Sequence, residues 1–437
     1  MKLFGMKREA AKNAFLEGSV TVSVFGLGKM GLPLSAVMAD AGARVVGVDV
    51  DEKRVRQVKE GKNPFPEEPG LSELIAKNVK QKRLSATTNG IDAVRQADVH
   101  VILVPTTMRH EKTRDSPVVA AAQTISMGLH KGDIVITECT LPPGTTDDVK
   151  AVLEESGLKA GKNFGVAHCP ERTMSGTAIR DLQGQYPKIV GANDEKTRQA
   201  VSGLYCAFNK NQVVVLESAK EAECVKVFEG VYRFVNISLA NELAKVSEKL
   251  GVNARRVFTA ANTQPFSHLH APGAGAGGHC IPEYPKFIAS NETPVINAAT
   301  KVNDEMPLHV VDLLEHLMGA LKGKRVAVLG LTFRPHVKAF ENAPAFLVVQ
   351  ELKKRGAQVE GFDPLCGAKE YALFGVEKLE SQVGLDGVVV VNKDPAFLEW
   401  NWASFSGKAV VDAPGLLDAK TMRNHGIFYK AVGGGGT

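Results

Sequence analysis

Three glycines set between two strands constrain this chain more than any other feature. Thr21–Phe25 is a short run of strand-forming residues, and Gly26-Leu-Gly28-Lys-Met-Gly31 follows without a break. A helix pattern of small residues then runs to about Ala41, and a second strand, Arg44–Val48, ends in Asp49. Strand, glycine turn, helix, strand and acid in this order spell a dinucleotide-binding unit. Gly26 permits the turn, Gly28 lets a pyrophosphate approach the backbone, and Gly31 packs helix on strand. The helix N-terminal amides around Lys29 and Met30 meet the phosphate charge. Asp49 lies 23 residues beyond Gly26. A carboxylate there accepts the ribose hydroxyls and opposes a 2′-phosphate, so NAD is expected rather than NADP.

Further strand signals at Val99–Val104, Ile134–Thr137, Phe164–Ala167 and Lys188–Val190 alternate with helix-like stretches. Apolar strands in that rhythm predict a parallel sheet covered on both faces. Between Ser218 and Leu250 there is no proline and only one glycine, Gly230. Such a segment forms a helix of roughly 50 Å, long enough to bridge domains or meet a partner chain. Asn262–Gly278 is rich in Pro, Gly, Ser and His and reads as a functional loop. From Gly323 the strand grammar returns: Arg325–Leu329, the turn Gly330-Leu-Thr-Phe-Arg-Pro335, a helix over Ala343–Arg355, and strands at Gln358–Gly361, Val388–Asn392 and Ala409–Asp412. The expected fold is α/β, with two Rossmann-like parallel-sheet domains joined by a helical middle domain with a long central helix. The boundaries fall at 1–215, 216–322 and 323–437, and 437 residues are too many for one core.

Composition excludes several classes. Lys and Arg number 53 against 48 Asp and Glu, with no basic block, which gives no footprint for nucleic acid. Six cysteines without a CxxC pair read as free thiols of a reducing compartment, so a cytoplasmic location is expected. No apolar run approaches a membrane span. The segment before Ser19 lacks a signal-peptide core and reads as a short exposed helix or arm. His268, His270 and His279 have no metal-ligand spacing, and no metal is expected.

Cys280 is the sharpest single residue. It stands in Pro272-Gly-Ala-Gly-Ala-Gly-Gly-His-Cys280-Ile-Pro282. Tightly turned backbone exposes a thiol and offers N–H groups to an oxyanion, and a thiolate of lowered pKa is a strong nucleophile. Beside an NAD unit, this suggests aldehyde oxidation through a thiohemiacetal. The other reading is a small buried side chain in a ligand loop. His279 either polarises the thiol or anchors the loop.

Several segments together carry a resemblance. They are Gly26–Gly31, Val104-Pro-Thr106, Glu138-Cys-Thr-Leu-Pro-Pro-Gly-Thr145, Cys169-Pro-Glu-Arg172, Asn236-Ile, Asn241-Glu242, Gly277-Gly-His-Cys-Ile-Pro282 and Gly330-Leu-Thr-Phe-Arg-Pro335. Over nearly its whole length the chain resembles the UDP-glucose/GDP-mannose dehydrogenase family. That resemblance implies oxidation of the C6 hydroxyl of a nucleotide sugar to a carboxylate in two NAD-dependent steps. Cys169-Pro-Glu-Arg172 followed by Gly176 is most similar to the branch acting on UDP-N-acetylhexosamines, with UDP-N-acetylmannosamine or UDP-N-acetylglucosamine as the implied substrate. A role in polysaccharide biosynthesis and a homodimer built on the central helix are implied as well.

The resemblance also assigns roles. Cys280 matches the nucleophile, Lys226 the lysine that stabilises an oxyanion, and Glu171 the acid near the reacting carbon. Thr106, Glu138 and Thr140 match positions lining the nicotinamide end. Arg172, Arg233, Asn236, Gly277, Phe333 and Arg334 match substrate contacts, and Arg233 lies two helical turns beyond Lys226 on the same face. The chain departs from the family pattern at Gly230, where asparagine is usual, at Tyr284, where aspartate is usual, and at Glu341, where arginine is usual. Asp412-Ala-Pro414 likewise lacks an expected arginine. Two other readings stand beside the full oxidation: an oxidoreductase or epimerase that stops at an aldehyde or keto stage, and a non-catalytic nucleotide-sugar-binding protein.

Overall fold

The structure is a computed structural model that describes residues 2–106, 116–174 and 176–434. The chain divides into two compact units, Met1–Phe228 and Glu229–Thr437. Each is built on its own sheet.

The first unit holds β1 (Thr21–Phe25), β2 (Arg44–Val48), β3 (Leu84–Thr87), β4 (Val99–Ile102), β5 (Ile134–Thr137), β6 (Gly165–His168), β7 (Lys188–Ala192) and β8 (Val213–Leu216). Their order is β3-β2-β1-β4-β5-β6-β7-β8. Successive residues serve opposite faces, as the pleat requires. Val22, Val24, Ile134 and Ile136 enter one core layer, while Phe25, Ile102 and Val135 enter the other. Helices on both faces explain why every residue of β4 through β7 is buried.

Two expectations for this unit are corrected. The sheet is not wholly parallel, because β7 runs antiparallel to β6 through Ala167↔Ala192 and His168↔Gly191. A parallel return needs a helix laid across the sheet face. Between β6 and β7 the described residues offer only the turn Ala178–Arg180 and its extension to Gln185. The N-terminal segment is also no exposed arm. Its helix, Arg8–Leu16, buries Ala11, Ala14 and Phe15, and Leu3 is fully buried. Gly203 makes the close approach possible: a Cβ there would stand 2.2 Å from the Arg8 carbonyl oxygen.

The second unit holds β9 (Arg325–Leu329), β10 (Gln358–Phe362), β11 (Glu377–Lys378), β12 (Gly387–Val390), β13 (Ala409–Asp412) and β14 (Phe428–Ala431). These are ordered β11-β10-β9-β12-β13-β14, and all pairs are parallel. The expected long helix is present as Ala219–Lys249, 31 residues, and the boundary between the units falls inside it. No described helix is long and apolar enough to cross a membrane.

Candidate active site

In the first unit, β2 and β3 leave β1 on one side, while β4 and its successors leave on the other. The crevice past the carboxyl ends of the strands at such a reversal is where α/β sheets hold a ligand. Gly26–Gly31 follows β1, Asp49 follows β2, Thr106 lies just past β4, Glu138–Thr140 follows β5 and Glu171 lies just past β6. The fold thus gathers all the expected cofactor positions, with Glu171, at one edge of one sheet.

The glycines differ in what they do. Gly26 has φ +100°, and a Cβ there would stand 2.2 Å from the Leu103 carbonyl oxygen. A Cβ on Gly31 would meet the Gly26 carbonyl oxygen at 1.9 Å. At Gly28 an added Cβ meets nothing within 4 Å, so the space in front of the turn is open to a pyrophosphate. Asp49 is held by its own backbone surroundings. Its Oδ2 accepts from Leu27 N at 2.7 Å and from Arg54 Nη1 at 2.9 Å, and its Oδ1 accepts from Asp51 N at 2.9 Å. A carboxylate has about four acceptor sites, so capacity remains for ribose hydroxyls. These residues fit NAD. Arg54 escaped the sequence reading, although its signal was present: Asp51 caps the helix Glu52–Lys59 and places Arg54 in its first turn.

Glu138 sits differently from a simple lining residue. Its carboxylate is fully buried, with Oε2 2.7 Å from Lys188 Nζ and Oε1 accepting from the Tyr205 hydroxyl. Burial pushes its pKa up, against the pull of Lys188. Its backbone oxygen accepts from Glu171 N at 2.9 Å, so it supports Glu171 through the main chain. The Glu171 carboxylate accepts from Thr173 N, and Thr173 Oγ1 contacts Met30 Sδ at 3.1 Å, which ties this segment to the glycine turn. Arg172 Nη2 donates to the Pro187 carbonyl at 2.7 Å, and its guanidinium lies 5.1 Å from the Tyr186 ring centre. It braces the β6–β7 connection. Lys29 is half-exposed and 3.6 Å from Glu67. Cys169, buried beside Glu138, has its thiol pushed far up by burial and is no nucleophile.

Lys226 lies on the long helix one turn after Glu223. The Glu223 carboxylate is buried and accepts from Gly144 N at 2.5 Å, Thr146 N at 2.7 Å and Thr146 Oγ1 at 2.6 Å. It caps the helix Thr145–Leu153, whose own N-cap residue, Gly144, has no side chain to do so. Sequence reading missed Glu223. The missing local cap was its only signal.

In the second unit the loop carrying Cys280 is pinned along its length. Arg255 Nη2 reaches the Pro272 carbonyl at 3.3 Å and the Ala413 carbonyl at 2.9 Å, while its Nη1 donates to the Val432 carbonyl at 2.5 Å. Gly273 N donates to Asn241 Oδ1 at 2.9 Å and Ala276 N to Asn303 Oδ1 at 2.6 Å. Gly278 N donates to the Glu341 carbonyl at 2.9 Å, and Asn342 Nδ2 returns a bond to the Gly278 carbonyl at 3.2 Å. Gly277 and Gly278 rest on Phe333, where added Cβ atoms would stand 2.9 Å and 3.0 Å from its side chain. The Arg334 guanidinium lies 5.6 Å from the Phe333 ring centre, and its Nε is buried without a hydrogen-bond partner. Gly277 and Arg334 therefore both lie against Phe333. A cavity of about 560 Å³ opens beside them, lined by Gly275, Ala276, Pro282, Asn303 and Asn342 among others. Arg233 is exposed, and burial, helped by the Arg233 charge, holds His270 below the usual histidine range. Asn236 spends its amide on the Tyr232 carbonyl of its own helix at 2.7 Å.

Cys280 itself is exposed. A hydrogen bond to Cys280 raises the pKa of His279, and the carboxylates of Glu341 and Glu283 add to the effect. A raised histidine stays cationic to higher pH, and the same interaction favours the thiolate at lower pH. His279→Gln is therefore expected to move the pH midpoint of Cys280 alkylation upward and to slow alkylation several-fold at pH 7. Peptide mass mapping after timed iodoacetamide exposure reads this, and an unchanged profile would remove His279 from the thiol's environment.

A glycine turn at a sheet reversal, an oriented acid beyond the next strand and a second Rossmann-like sheet define an NAD-binding dehydrogenase fold. Comparison with known proteins agrees. The NAD-binding domain of the UDP-glucose/GDP-mannose dehydrogenase family matches residues 20–209, its central domain 220–305 and its UDP-binding domain 327–424. The chain is 32% identical over 431 residues to a UDP-N-acetyl-D-mannosamine dehydrogenase of Methanococcus maripaludis, covering 95% of this chain and 97% of the relative. It is 32% identical to an NDP-N-acetyl-D-galactosaminuronic acid dehydrogenase of Ralstonia nicotianae, covering 92% and 97%. The solved UDP-D-ManNAc dehydrogenase of Pyrococcus horikoshii superposes with a TM-score of 0.85 at 29% identity, covering 95% of this chain and 99% of that one. The chain belongs to the UDP-glucose/GDP-mannose dehydrogenase family. It is an NAD-dependent nucleotide-sugar dehydrogenase.

Proposed function

We propose that the chain oxidises the C6 hydroxyl of a UDP-N-acetylhexosamine, UDP-N-acetylmannosamine foremost, to the carboxylate through a thioester on Cys280. The observation that carries this reading is an exposed thiol, hydrogen-bonded to His279, on a turn tied on one side by Arg255 to the Pro272 carbonyl and on the other by Asn342 to the Gly278 carbonyl. The C6 alcohol loses a hydride and a proton to become an aldehyde. The Cys280 thiolate adds to that aldehyde and, with a proton, gives a thiohemiacetal. Loss of a second hydride and a proton leaves the thioester. Water then cleaves the carbon–sulfur bond, giving the acid and the free thiol. NAD, when bound, supplies the acceptor for both hydrides. The Lys226 ammonium offsets negative charge on the sugar oxygen. Glu171 serves as base or water orienter, and Phe333 and Arg334 hold the nucleotide end.

A cytoplasmic homodimer accompanies this reading. Phe228, Tyr232, Leu239 and Val246 are exposed apolar residues spaced along one side of the long helix, and we assign that stripe to a second copy. The test is incubation with NAD and a panel of nucleotide sugars, with product mass and NADH measured together. Two NADH per acid formed is the expected stoichiometry. One NADH per sugar with an aldehyde product would instead select partial oxidation, a reading favoured by Gly230 and Tyr284. Tight sugar binding without NADH would select a non-catalytic role.

A further inference from the structure

Gly230 is buried in the interior of the long helix, where glycine costs about 1 kcal/mol relative to alanine. It is not among the residues of positive φ, so the backbone does not require glycine there. Tyr284 does. A Cβ on Gly230 would stand 1.8 Å from Tyr284 Cδ2, 2.7 Å from Cε2 and 2.9 Å from Cγ. The aromatic ring lies directly against the helix backbone and occupies the volume of the absent side chain. Tyr284 is 6% exposed and opens the short helix Tyr284–Ile288. Its backbone N–H, like that of Glu283, donates to the Cys280 carbonyl at 3.1 Å. The residue whose ring is seated on Gly230 therefore also closes the turn that carries the thiol.

We propose that Tyr284 is a positioning residue for Cys280. Its ring, keyed into the groove left by Gly230, fixes the turn and so the direction in which the thiol points. Gly230 and Tyr284 are one device rather than two separate departures from the family pattern, since the Tyr284 ring occupies the space that any side chain at position 230 would need. The inference deepens the reading of Cys280 as nucleophile and rests on it for its catalytic consequence, while its structural content stands on the protein alone.

The experiment is a double-mutant cycle with Gly230→Ala, Tyr284→Ala and the pair, plus Tyr284→Phe. The first readout is the rate and pH profile of Cys280 alkylation, which needs neither sugar nor NAD. The second is kcat and KM for NADH formation. Gly230→Ala and Tyr284→Ala are each expected to change the alkylation rate at least about fivefold and to lower kcat more than they raise KM. The pair is expected to be no worse than Tyr284→Ala alone, because the ring that the new methyl group strikes has gone. Tyr284→Phe keeps the ring and is expected to match the parent within about twofold. Additive effects in the cycle, or a Gly230→Ala protein with unchanged alkylation and kcat, would overturn the proposal, as would a Tyr284→Phe protein as impaired as Tyr284→Ala. If Gly230→Ala fails to fold while the pair folds, that rescue supports the coupling. If it fails to fold with or without the ring, the coupling is refuted. A parent protein that forms no NADH with any sugar refutes the proposed reaction, and the alkylation cycle still decides the positioning role.

Discussion

Replacement of Cys280 by alanine is expected to abolish acid formation, with a loss of at least about a thousandfold in kcat. Without the thiolate no thiohemiacetal forms, and the second hydride has no covalent adduct to leave. Oxidation then stops at the aldehyde, so any residual NADH should fall to one per sugar consumed. The fold should survive, because the side chain is exposed and fills no core space. The melting temperature is therefore expected to stay within about 2 °C of the parent. Product mass and NADH stoichiometry read the outcome together, and undiminished acid production by the Cys280→Ala protein would end the covalent reading.

A comparably large loss is expected for NAD affinity when the turn after β1 is altered. Gly26→Ala must place a side chain at φ +100° and 2.2 Å from the Leu103 carbonyl oxygen. The neighbouring backbone has little freedom to yield, since Gly26 N donates to the Val48 carbonyl at 2.8 Å and Leu103 N to the Phe25 carbonyl at 2.8 Å. Affinity is expected to fall at least about a hundredfold, and the melting temperature by several degrees, through strain and overpacking. Gly28→Ala separates the two causes. Its added Cβ meets no protein atom within 4 Å, so stability should hold while NAD affinity still drops, because the methyl group enters space needed by the pyrophosphate. Calorimetric titration with NAD, beside thermal melts of the unliganded proteins, measures both. Unchanged affinity in Gly28→Ala would place the phosphates elsewhere.

The parts legible in the sequence were those with local signatures. The turn Gly26–Gly31, the strand ending at Asp49, the unbroken stretch around the long helix and the return of strands after Gly323 are each specified by residues close to one another. What escaped depends on distant partners. The carboxylate of Glu138 is drawn inward by Lys188 and Tyr205, 50 and 67 positions away. Glu223 caps a helix start 77 positions earlier. The direction of β7 depends on how little helix lies between it and β6, which apolar run lengths do not record. The N-terminal helix offered only Ala11, Ala14 and Phe15 as an apolar face, too short a pattern to separate from an exposed arm. Gly230 and Tyr284 were each visible as unusual; that one fills the space left by the other required three dimensions.

Arg255 gives the second unit a particular order of completion. Its guanidinium joins the Pro272 carbonyl, where the cysteine loop begins, to the Val432 carbonyl, 177 positions further along the chain than the arginine itself. The same closing segment is fastened twice more, by Ala254 N to the Gly433 carbonyl at 2.8 Å and by Gly433 N to Glu248 Oε1 at 2.7 Å. During synthesis the loop bearing Cys280 leaves the ribosome long before the residues that complete its anchorage. The turn that carries Cys280 can therefore reach its full set of supports only after β14 has docked, so that the thiol's final setting follows assembly of that strand.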